Sequence, residues 1–444
     1  MPFAPIADFT LGTPDIPETA YDMAATLLID TLGVAAGGAR LDPGRIAREH
    51  AVAHHAAGRP DLSARLIFDG RAVSIPGAAF AGATQLDNLD GHDGYNPTKG
   101  HIGCAVVPAL FAFAEIRPGL SARDALTAMI LAYEVSARAA VTLHATVSDY
   151  HTSGAWNTLG VAALGTRLMG LSSDQLRHAL GIAEYHGPRS QMMREIATPT
   201  MLHDGSGMGA LTGAMAALMA RDGFTGAPAI TAESDAAAPY WADLGSDWTI
   251  ERNYIKPYPV CRWAHGALEA LETLLRRRRF SAGEVAQIDV ATFAQSAALY
   301  PGMPETTGQA QYSLGFALAT LIVNGVIGPD QVSGAGLADG RVAALLPRIA
   351  VREEPHLSAR FPAGRWSDVT VTLTDGIVLT SGDTNARGGP EAPMARSEVE
   401  AKFHVMASAL PRPRAEALWA MRDRLADPAT PFADLASLVY TPMP

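Results

Sequence analysis

Cysteine is scarce in this chain of 444 residues, which contains only Cys104 and Cys261. Two cysteines cannot build a disulfide framework or a C-x-x-C zinc site. Their scarcity is typical of proteins in the reducing cytoplasm, so we expect a cytoplasmic location. Residues 1–17 lack a basic stretch followed by an apolar one, which predicts that no signal peptide is present.

Positive charge is also in deficit. The chain has 34 Lys and Arg against 45 Asp and Glu, giving a formal net charge of −11. Without a basic stripe to attract phosphates, nucleic acid is not an expected partner. No uninterrupted apolar run approaches the roughly 20 residues that span a bilayer, so no membrane partner is expected either.

Motifs that would indicate a catalytic serine, a zinc ion or a bound dinucleotide are missing. The chain has neither the G-x-S-x-G sequence of a nucleophile elbow nor the H-E-x-x-H sequence of a zinc protease. The glycines of residues 204–209 do not match the G-x-G-x-x-G spacing and follow no predicted strand. The sequence therefore predicts that no cofactor and no metal are required.

The hydrophobic pattern predicts a mostly α fold with two domains, because 444 residues are many for one core. Helical periodicity begins at Glu18 and dominates residues 1–250, which we predict to be a large all-helical domain. A smaller α+β lid domain is predicted for residues 251–395. Residues 396–444 are predicted to be C-terminal helices that return to the helical domain. A cleft between the two domains would be the natural ligand site.

Strand-like stretches appear only in the predicted lid domain. Apolar and β-branched residues predict strands at residues 285–293, 348–352, 369–373 and 377–380. Between the last two lies Thr374-Asp375-Gly376, whose Asp-Gly pair is typical of a hairpin turn.

A polar cluster at residues 87–101 interrupts two apolar, alanine-rich stretches. It contains three Asp, two His and one Lys, and the segment that follows, from Cys104, is typical of a buried helix. The cluster is therefore predicted to face the interior, where burial shifts the pKa of carboxylates and imidazoles toward values that suit proton transfer.

Four further polar segments lie in apolar surroundings, at residues 149–154, 185–194, 201–207 and 253–263. Arg189 could hold a carboxylate bidentately, and helix N-termini could assist it. Lys256 stands alone between aromatic residues and prolines, and burial of such a lysine suits a general acid or base. Together these segments predict a cofactor-free acid–base site for a small anionic substrate.

These residues resemble the MmgE/PrpD family, which includes 2-methylcitrate dehydratase, cis-aconitate decarboxylase and iminodisuccinate epimerase. The resemblance covers about residues 18–420. It is carried, in family order, by the 90–101 segment with Pro108, the Tyr150-His151 pair, the turn at 223–226, the 256–262 segment and the 310–313 segment. It implies a helical domain, an α+β lid domain, no cofactor and a homodimer.

The polar segments and the resemblance together give candidate residues. The resemblance implies catalytic roles for Asp90, His101, His151 and Lys256, and Tyr258, from the same segment as Lys256, is a further catalytic candidate. The candidates for substrate binding are Asp93, His92, Arg189, His203, Arg262 and Cys261.

The chain differs from the decarboxylases of this family at four positions. Gly94 and Phe316 stand where they carry Thr and Tyr, and Thr200 and Cys261 stand where they carry Lys and His. These differences argue against decarboxylation, and the 150–156, 187–194 and 204–207 segments look closer to the epimerase branch.

The sequence thus predicts an enzyme that moves a proton at the carbon alpha or beta to a carboxylate of a small di- or tricarboxylate. An isomerase of the iminodisuccinate epimerase type is favoured. The alternative is a lyase, either a dehydratase or a decarboxylase. A second alternative is a protein that binds carboxylates without catalysis.

Overall fold

The computed structural model describes residues 3–443 and shows a mostly α fold. The twelve helices up to residue 241 are α1 Ala4–Leu11, α2 Glu18–Gly38, α3 Asp42–His54, α4 Ile75–Asp87, α5 Gly103–Ala114, α6 Ala122–Thr146, α7 Gly154–Met169, α8 Ser173–His186, α9 Met192–Ala197, α10 Ser206–Arg221, α11 Ile230–Glu233 and α12 Ala238–Trp241. Helix α7 packs against α5, α6, α8 and α10, so it lies at the centre of this part of the molecule.

The part of the chain before residue 251 is not entirely helical, contrary to the prediction. Strands β1 Ser63–Arg65 and β2 Ala72–Ser74 form an antiparallel pair. Phe68 and Gly70, both with positive φ, lie in the connection between them, and the left-handed conformation reverses the chain. Strand β3 Gly94–Tyr95 pairs with β4 Asn253–Tyr254, which joins the two polar segments that the sequence singles out.

The α+β character predicted for residues 251–395 is present. The remaining strands are β5 Val285–Thr292, β6 Ile349–Glu353, β7 Trp366–Leu373, β8 Val378–Thr380 and β9 Thr384–Asn385. Their order is β6-β5-β7-β8, with β9 also paired to β7, and only β5 and β6 run parallel among the described strands of this sheet. The predicted hairpin between β7 and β8 is confirmed, with Gly376 in the left-handed conformation that the turn requires.

Nine further helices accompany and follow this sheet. They are α13 His265–Arg277, α14 Ala294–Ala297, α15 Thr307–Gln311, α16 Leu314–Asn324, α17 Gly340–Leu345, α18 Pro355–Ser358, α19 Arg396–Met406, α20 Arg412–Met421 and α21 Phe432–Tyr440. Helix α13 packs on β7, and α19 packs on α2. The contact between α19 and α2 brings the end of the chain back to its beginning.

Two glycines that resemble a helix end instead permit close packing. A Gly-Gly pair after an apolar helical stretch is typical of a helix C-terminus, yet α2 continues through Gly37 and Gly38. A Cβ on Gly37 would lie 2.6 Å from Leu89 Cδ2, and one on Gly38 would lie 2.1 Å from the carbonyl oxygen of Gln85. The glycines therefore let α2 approach α4 and the polar cluster that follows it.

One helix has the length and composition of a membrane span. In α6, 89% of an 18-residue apolar window is buried inside the protein. Helices α2 and α3 meet the same criteria only as a pair bent by 89°. The burial of α6 is that of a core helix, and it packs on α7.

A buried ion pair fastens α19 to α2. Lys402 Nζ donates hydrogen bonds to both carboxylate oxygens of Asp30, at 2.6 and 2.5 Å, and to the carbonyl oxygen of Gly91 at 2.7 Å. Both side chains are buried. The last interaction reaches the polar cluster, so the C-terminal helices help to position it.

Replacing Lys402 by Met should lower the free energy of unfolding by about 3–5 kcal/mol, because Asp30 would keep a buried charge without its partner. Urea denaturation at neutral pH measures this change. The matched control is Arg412→Met, which removes an exposed cation paired with Glu416 in the same C-terminal region and should change stability little. Equal effects of the two substitutions would contradict the structural role of Lys402.

Candidate active site

The polar cluster lies in the interior, as the sequence predicts. Helix α4 ends at Asp87 and α5 begins at Gly103, so residues 88–102 cross between two core helices. The side chains buried there include Asp90, His92 and His101, which are at most 6% exposed. Isolated charges at this depth would be costly, so each ionised group needs a partner.

Asp90 and Lys256 provide such partners for each other. Lys256 Nζ contacts Asp90 Oδ1 and donates a second hydrogen bond, of 3.0 Å, to the carbonyl oxygen of Asp90. Asp90 has a φ of 53°, a left-handed conformation that directs its carbonyl and carboxylate to the same ammonium. The pairing of β3 with β4 brings the two segments together, because Gly94 lies opposite Tyr254.

The charges of this pair persist at neutral pH. Burial raises the pKa of Asp90 to about 6, although the Lys256 ammonium opposes this rise. Burial by itself would lower the pKa of Lys256, but the Asp90 carboxylate beside it leaves that pKa above its ordinary value. Asp90 therefore keeps its charge above about pH 6, and Lys256 stays protonated there.

His101 is held in one orientation and one tautomer. Its Nδ1 lies 2.6 Å from the carbonyl oxygen of Asp93, so Nδ1 carries the proton and donates it. Its backbone N–H donates to Ser153 Oγ at 2.9 Å. Burial, with the Lys256 ammonium nearby, lowers the pKa of His101 to about 4. At neutral pH the ring is therefore uncharged, and its Nε2 offers a lone pair.

Asp204 lies opposite that lone pair. Its Oδ2 is 3.6 Å from His101 Nε2, beyond hydrogen-bond range, which leaves Nε2 accessible to a substrate. Asp204 is fixed from two sides, because Ser153 Oγ donates to its Oδ1 at 2.7 Å and its own N–H donates to Glu195 Oε2 at 2.7 Å. Tyr312 donates its hydroxyl proton to the other oxygen of Glu195.

These groups surround a cavity of about 20 Å³, room for about one water molecule. It is lined by Asp90, Lys99, His101, Tyr150, Met192, Asp204, Tyr254, Lys256, Cys261, Arg262, Trp263, Tyr312 and Arg365. Four of these side chains are cationic and two are acidic. Burial raises the pKa of the Cys261 thiol to about 12, so this group remains protonated at neutral pH.

Of the eleven candidate residues, five line this cavity: Asp90, His101, Lys256, Cys261 and Arg262. Three more are buried next to it. His92 stacks edge-on against His101, with 4.5 Å between ring centroids, and binds Asp87. Asp93 orients His101 through its carbonyl, and the ring of His203 lies 5.3 Å from that of Tyr312.

The structure does not bring the other three candidates to the cavity. Arg189 is exposed. Tyr258 donates its hydroxyl proton to Glu272 on α13. His151 is half-buried beside His144, one residue beyond the cavity-lining Tyr150. The placement of Tyr258 has a geometric cause, since the extended segment ends at Lys256 and the chain bends from residue 257 onward.

Several cavity residues are not among the candidates from sequence. Four of them lie within the polar segments, namely Tyr150, Asp204, Tyr254 and Lys99. The segments therefore indicate the region of the site, but they do not reveal which side chains point into the cavity. Arg365, just before β7, carries no such signal.

Tyr254 occupies space that Gly94 leaves open. A Cβ on Gly94 would lie 2.3 Å from the Tyr254 hydroxyl oxygen and 2.9 Å from His101 Nδ1. The glycine that replaces the Thr of the decarboxylases is therefore required by a tyrosine from the opposite strand. The Tyr254 hydroxyl thus lies near His101, in the space that a side chain at position 94 would occupy.

A larger cleft lies elsewhere. It measures about 690 Å³ and shares no lining residue with the small cavity. Thr200 faces this larger cleft, and its Arg40 and Asp42 are engaged in ion pairs with Asp330 and Arg45. Convergent acid and base groups are found in the small cavity, which we therefore take as the candidate active site.

Two sets of side chains could supply metal ligands. They are Asp90, His92 and His101, and Asp87, His92 and Cys104, each with ligand atoms within 4.8 Å of one another. In the first set the Lys256 ammonium already binds Asp90, and a cation in that position opposes a divalent ion. The expectation that no metal is required stays a prediction.

Known proteins with similar sequences belong to one family. Residues 6–242 match the MmgE/PrpD N-terminal domain, and residues 258–427 match the MmgE/PrpD C-terminal domain. Human cis-aconitate decarboxylase is 23% identical over 413 residues, which cover 86% of this chain and 82% of that protein. The mouse enzyme of the same name is 24% identical over 376 residues, or 79% and 75% of the two chains.

A fungal relative is also named as a cis-aconitate decarboxylase. The protein from Aspergillus terreus is 26% identical over 306 residues, which cover 60% of this chain and 58% of the relative. The two domain matches follow one another along the chain and together cover most of it, as the resemblance in the polar segments implies. The protein is therefore a member of the MmgE/PrpD family.

Proposed function

We propose that the protein is a cofactor-independent lyase that acts on a small polycarboxylate. The observation that carries this proposal is the cavity itself, in which three further cationic side chains surround the neutral His101 and the Asp90–Lys256 pair. Cations hold and neutralise carboxylates, while a neutral imidazole and a buried ammonium can accept and donate a proton. Relatives named as cis-aconitate decarboxylases favour the lyase over the epimerase that the sequence favours.

Decarboxylation needs a proton donor, and dehydration needs both a proton donor and a proton acceptor. In decarboxylation the bond to the departing carboxylate breaks, and its electron pair moves through the adjacent double bond to a carbon that takes up a proton. In dehydration a base removes the carbon-bound proton, and hydroxide leaves with a proton from an acid. We assign acceptance to His101 Nε2 and donation to Lys256, and the remaining cations stabilise negative charge that develops on the substrate.

The substrate cannot enter the cavity in the conformation described, because room for about one water does not admit a polycarboxylate. Lys256, Cys261, Arg262 and Arg365 come from the C-terminal part, and Asp90, His101 and Asp204 from the N-terminal part. We propose that residues 251–395 act as the lid and separate from the helical part to admit substrate. The homodimer, the cytoplasmic location and the lack of nucleic-acid and membrane partners stay predictions.

Proton NMR in D₂O with cis-aconitate, a hydroxytricarboxylate and a chiral aminodicarboxylate tests the lyase proposal. We expect either loss of carbon dioxide with a shifted double bond, or formation of an alkene from the hydroxy acid. Deuterium uptake at a chiral carbon without either product would support the epimerase instead. Thermal stabilisation by these compounds without any turnover would indicate a binding protein.

Replacing His101 by Ala should lower turnover by on the order of 100-fold or more, as expected for the loss of a group that transfers the proton. Steady-state kinetics on the substrate found above measures the change. His50→Ala, at an exposed position on α3, serves as the control and should leave turnover unchanged. A folded His101→Ala protein with a nearly native rate would remove His101 from the mechanism.

The pH dependence should distinguish Asp90 from His101. Because the raised pKa of Asp90 is about 6, its carboxylate is present above that pH and becomes protonated below it. We expect kcat/KM to fall about tenfold per pH unit below about 6, as the ion pair with Lys256 is lost. An acid limb near pH 4 would point instead to His101, whose pKa is lowered to about 4.

A further inference from the structure

Two arginines face the small cavity without an acidic partner. Arg262 and Arg365 are 5% and 2% exposed, yet neither forms an ion pair with a carboxylate anywhere in residues 3–443. The Nε of each has no hydrogen-bond partner among the described residues. A buried guanidinium with an unused N–H group is costly unless a ligand supplies the missing acceptor.

The two guanidinium groups are also close enough to repel each other. Burial lowers the pKa of Arg262 to about 10, and the positive charge of Arg365 contributes to that decrease. The acidic side chain of Glu391 acts on both arginines, but at longer range than an ion pair and from an exposed position. Like charges brought together inside a protein are typical of an anion-binding site.

Both arginines are hydrogen-bonded to the segment at residues 385–387. Arg262 donates to the carbonyl oxygens of Arg387, at 2.7 Å, and of Ala386, at 3.3 Å. Arg365 donates a backbone N–H to Asn385 Oδ1 at 2.8 Å and a guanidinium N–H to the carbonyl oxygen of Pro362. Because Asn385 belongs to β9, which pairs with β7, the backbone of Arg365 and the guanidinium of Arg262 are anchored to neighbouring residues at the end of one strand.

The charge balance of the cavity indicates how many carboxylates it takes. Lys256 is neutralised by Asp90, whereas Lys99, Arg262 and Arg365 have no ion pair in the described part of the chain. Lys99 lies over the ring of Tyr150 at 4.4 Å. Arg262 and Arg365 together can hold one carboxylate and Lys99 a second, which leaves Lys256 and His101 for a third at the reacting carbon. The Asp204 carboxylate accepts a hydrogen bond from Ser153.

We propose that Arg365 and Arg262 form a clamp for a carboxylate remote from the reacting carbon, and that this clamp makes the enzyme selective for tricarboxylates over dicarboxylates. The proposal rests on the proposed function because it assigns the clamp to the same cavity. The clamp and the proposed reaction can be tested separately, because the clamp can be tested by binding alone. Arg365 is therefore a specificity residue.

The test compares two unreactive ligands that differ by one carboxylate, propane-1,2,3-tricarboxylate and glutarate, by titration calorimetry on the whole chain. The unmodified protein should bind the tricarboxylate on the order of 100-fold more tightly, as expected for charge-assisted hydrogen bonds to one carboxylate. Arg365→Gln should weaken tricarboxylate binding on the order of 100-fold and leave glutarate binding unchanged.

A matched control lies in the same loop. Arg360 stacks on Trp366 and binds Asp383 at the surface, so Arg360→Gln disturbs the loop without touching the cavity. It should change the affinity of neither ligand. Arg365→Lys keeps the charge without the paired N–H groups, and it should restore part of the lost affinity if Arg365→Gln folds poorly.

Three results would overturn the clamp. They are equal weakening of both ligands by Arg365→Gln, unchanged affinity for both, and weakening by Arg360→Gln as large as that by Arg365→Gln. Failure of the lyase assay with the selective binding intact would reject the proposed reaction and keep the clamp. Lyase turnover with equal binding of the two ligands would reject the clamp and keep the proposed reaction.

Discussion

The architecture of the candidate site depends on one buried ion pair. Asp90 and Lys256 are 166 residues apart in the chain, yet their contact lies in the interior. Removing both charges from water costs free energy, which their attraction and the hydrogen bond to the Asp90 carbonyl offset. The ion pair therefore requires contact between the loop after α4 and the segment after β4. This contact also positions the other cavity residues.

The surroundings of this pair have a layered organisation. Side chains that line the cavity come from both matched domains of the family. The hydrogen bonds behind them involve main-chain atoms. Lys402 holds the carbonyl of Gly91, and the carbonyl of Asp93 holds His101. The tautomer of His101 is thus maintained by main-chain atoms, whose positions depend on the packing of α2, α4 and α19.

Much of this arrangement could be predicted from the sequence. The polar segments are conspicuous because charge is rare between apolar helices, and burial of Asp90, His101 and Lys256 follows from that contrast. Tyr258 shows the limit, since the bend at residue 257 turns its side chain toward α13, and Tyr254 takes the position near His101. Arg365 is a single arginine before a strand. Its role becomes evident only because the fold brings it to the same cavity as Arg262, which is distant in sequence.

Residues that differ from the decarboxylases do not by themselves identify another reaction. The hydroxyl of Tyr254 lies where a larger residue at Gly94 would place its side chain, and Tyr312, one turn before Phe316, supplies a hydroxyl to the cavity. The cavity therefore contains hydroxyl groups from other positions of the chain. A comparison of single positions favours the epimerase, whereas the names of the relatives favour a lyase.

The short pairing between β3 and β4 has a consequence for folding during synthesis of the protein. A ribosome that adds about 5–20 residues per second needs roughly 10 to 30 s to proceed from Asp90 to Lys256. During that interval the nascent helices can pack, but the carboxylate that Lys256 neutralises must remain hydrated. The loop that contains Asp90 therefore emerges before its partner, and closure of this loop couples the burial of charge to the synthesis of Lys256.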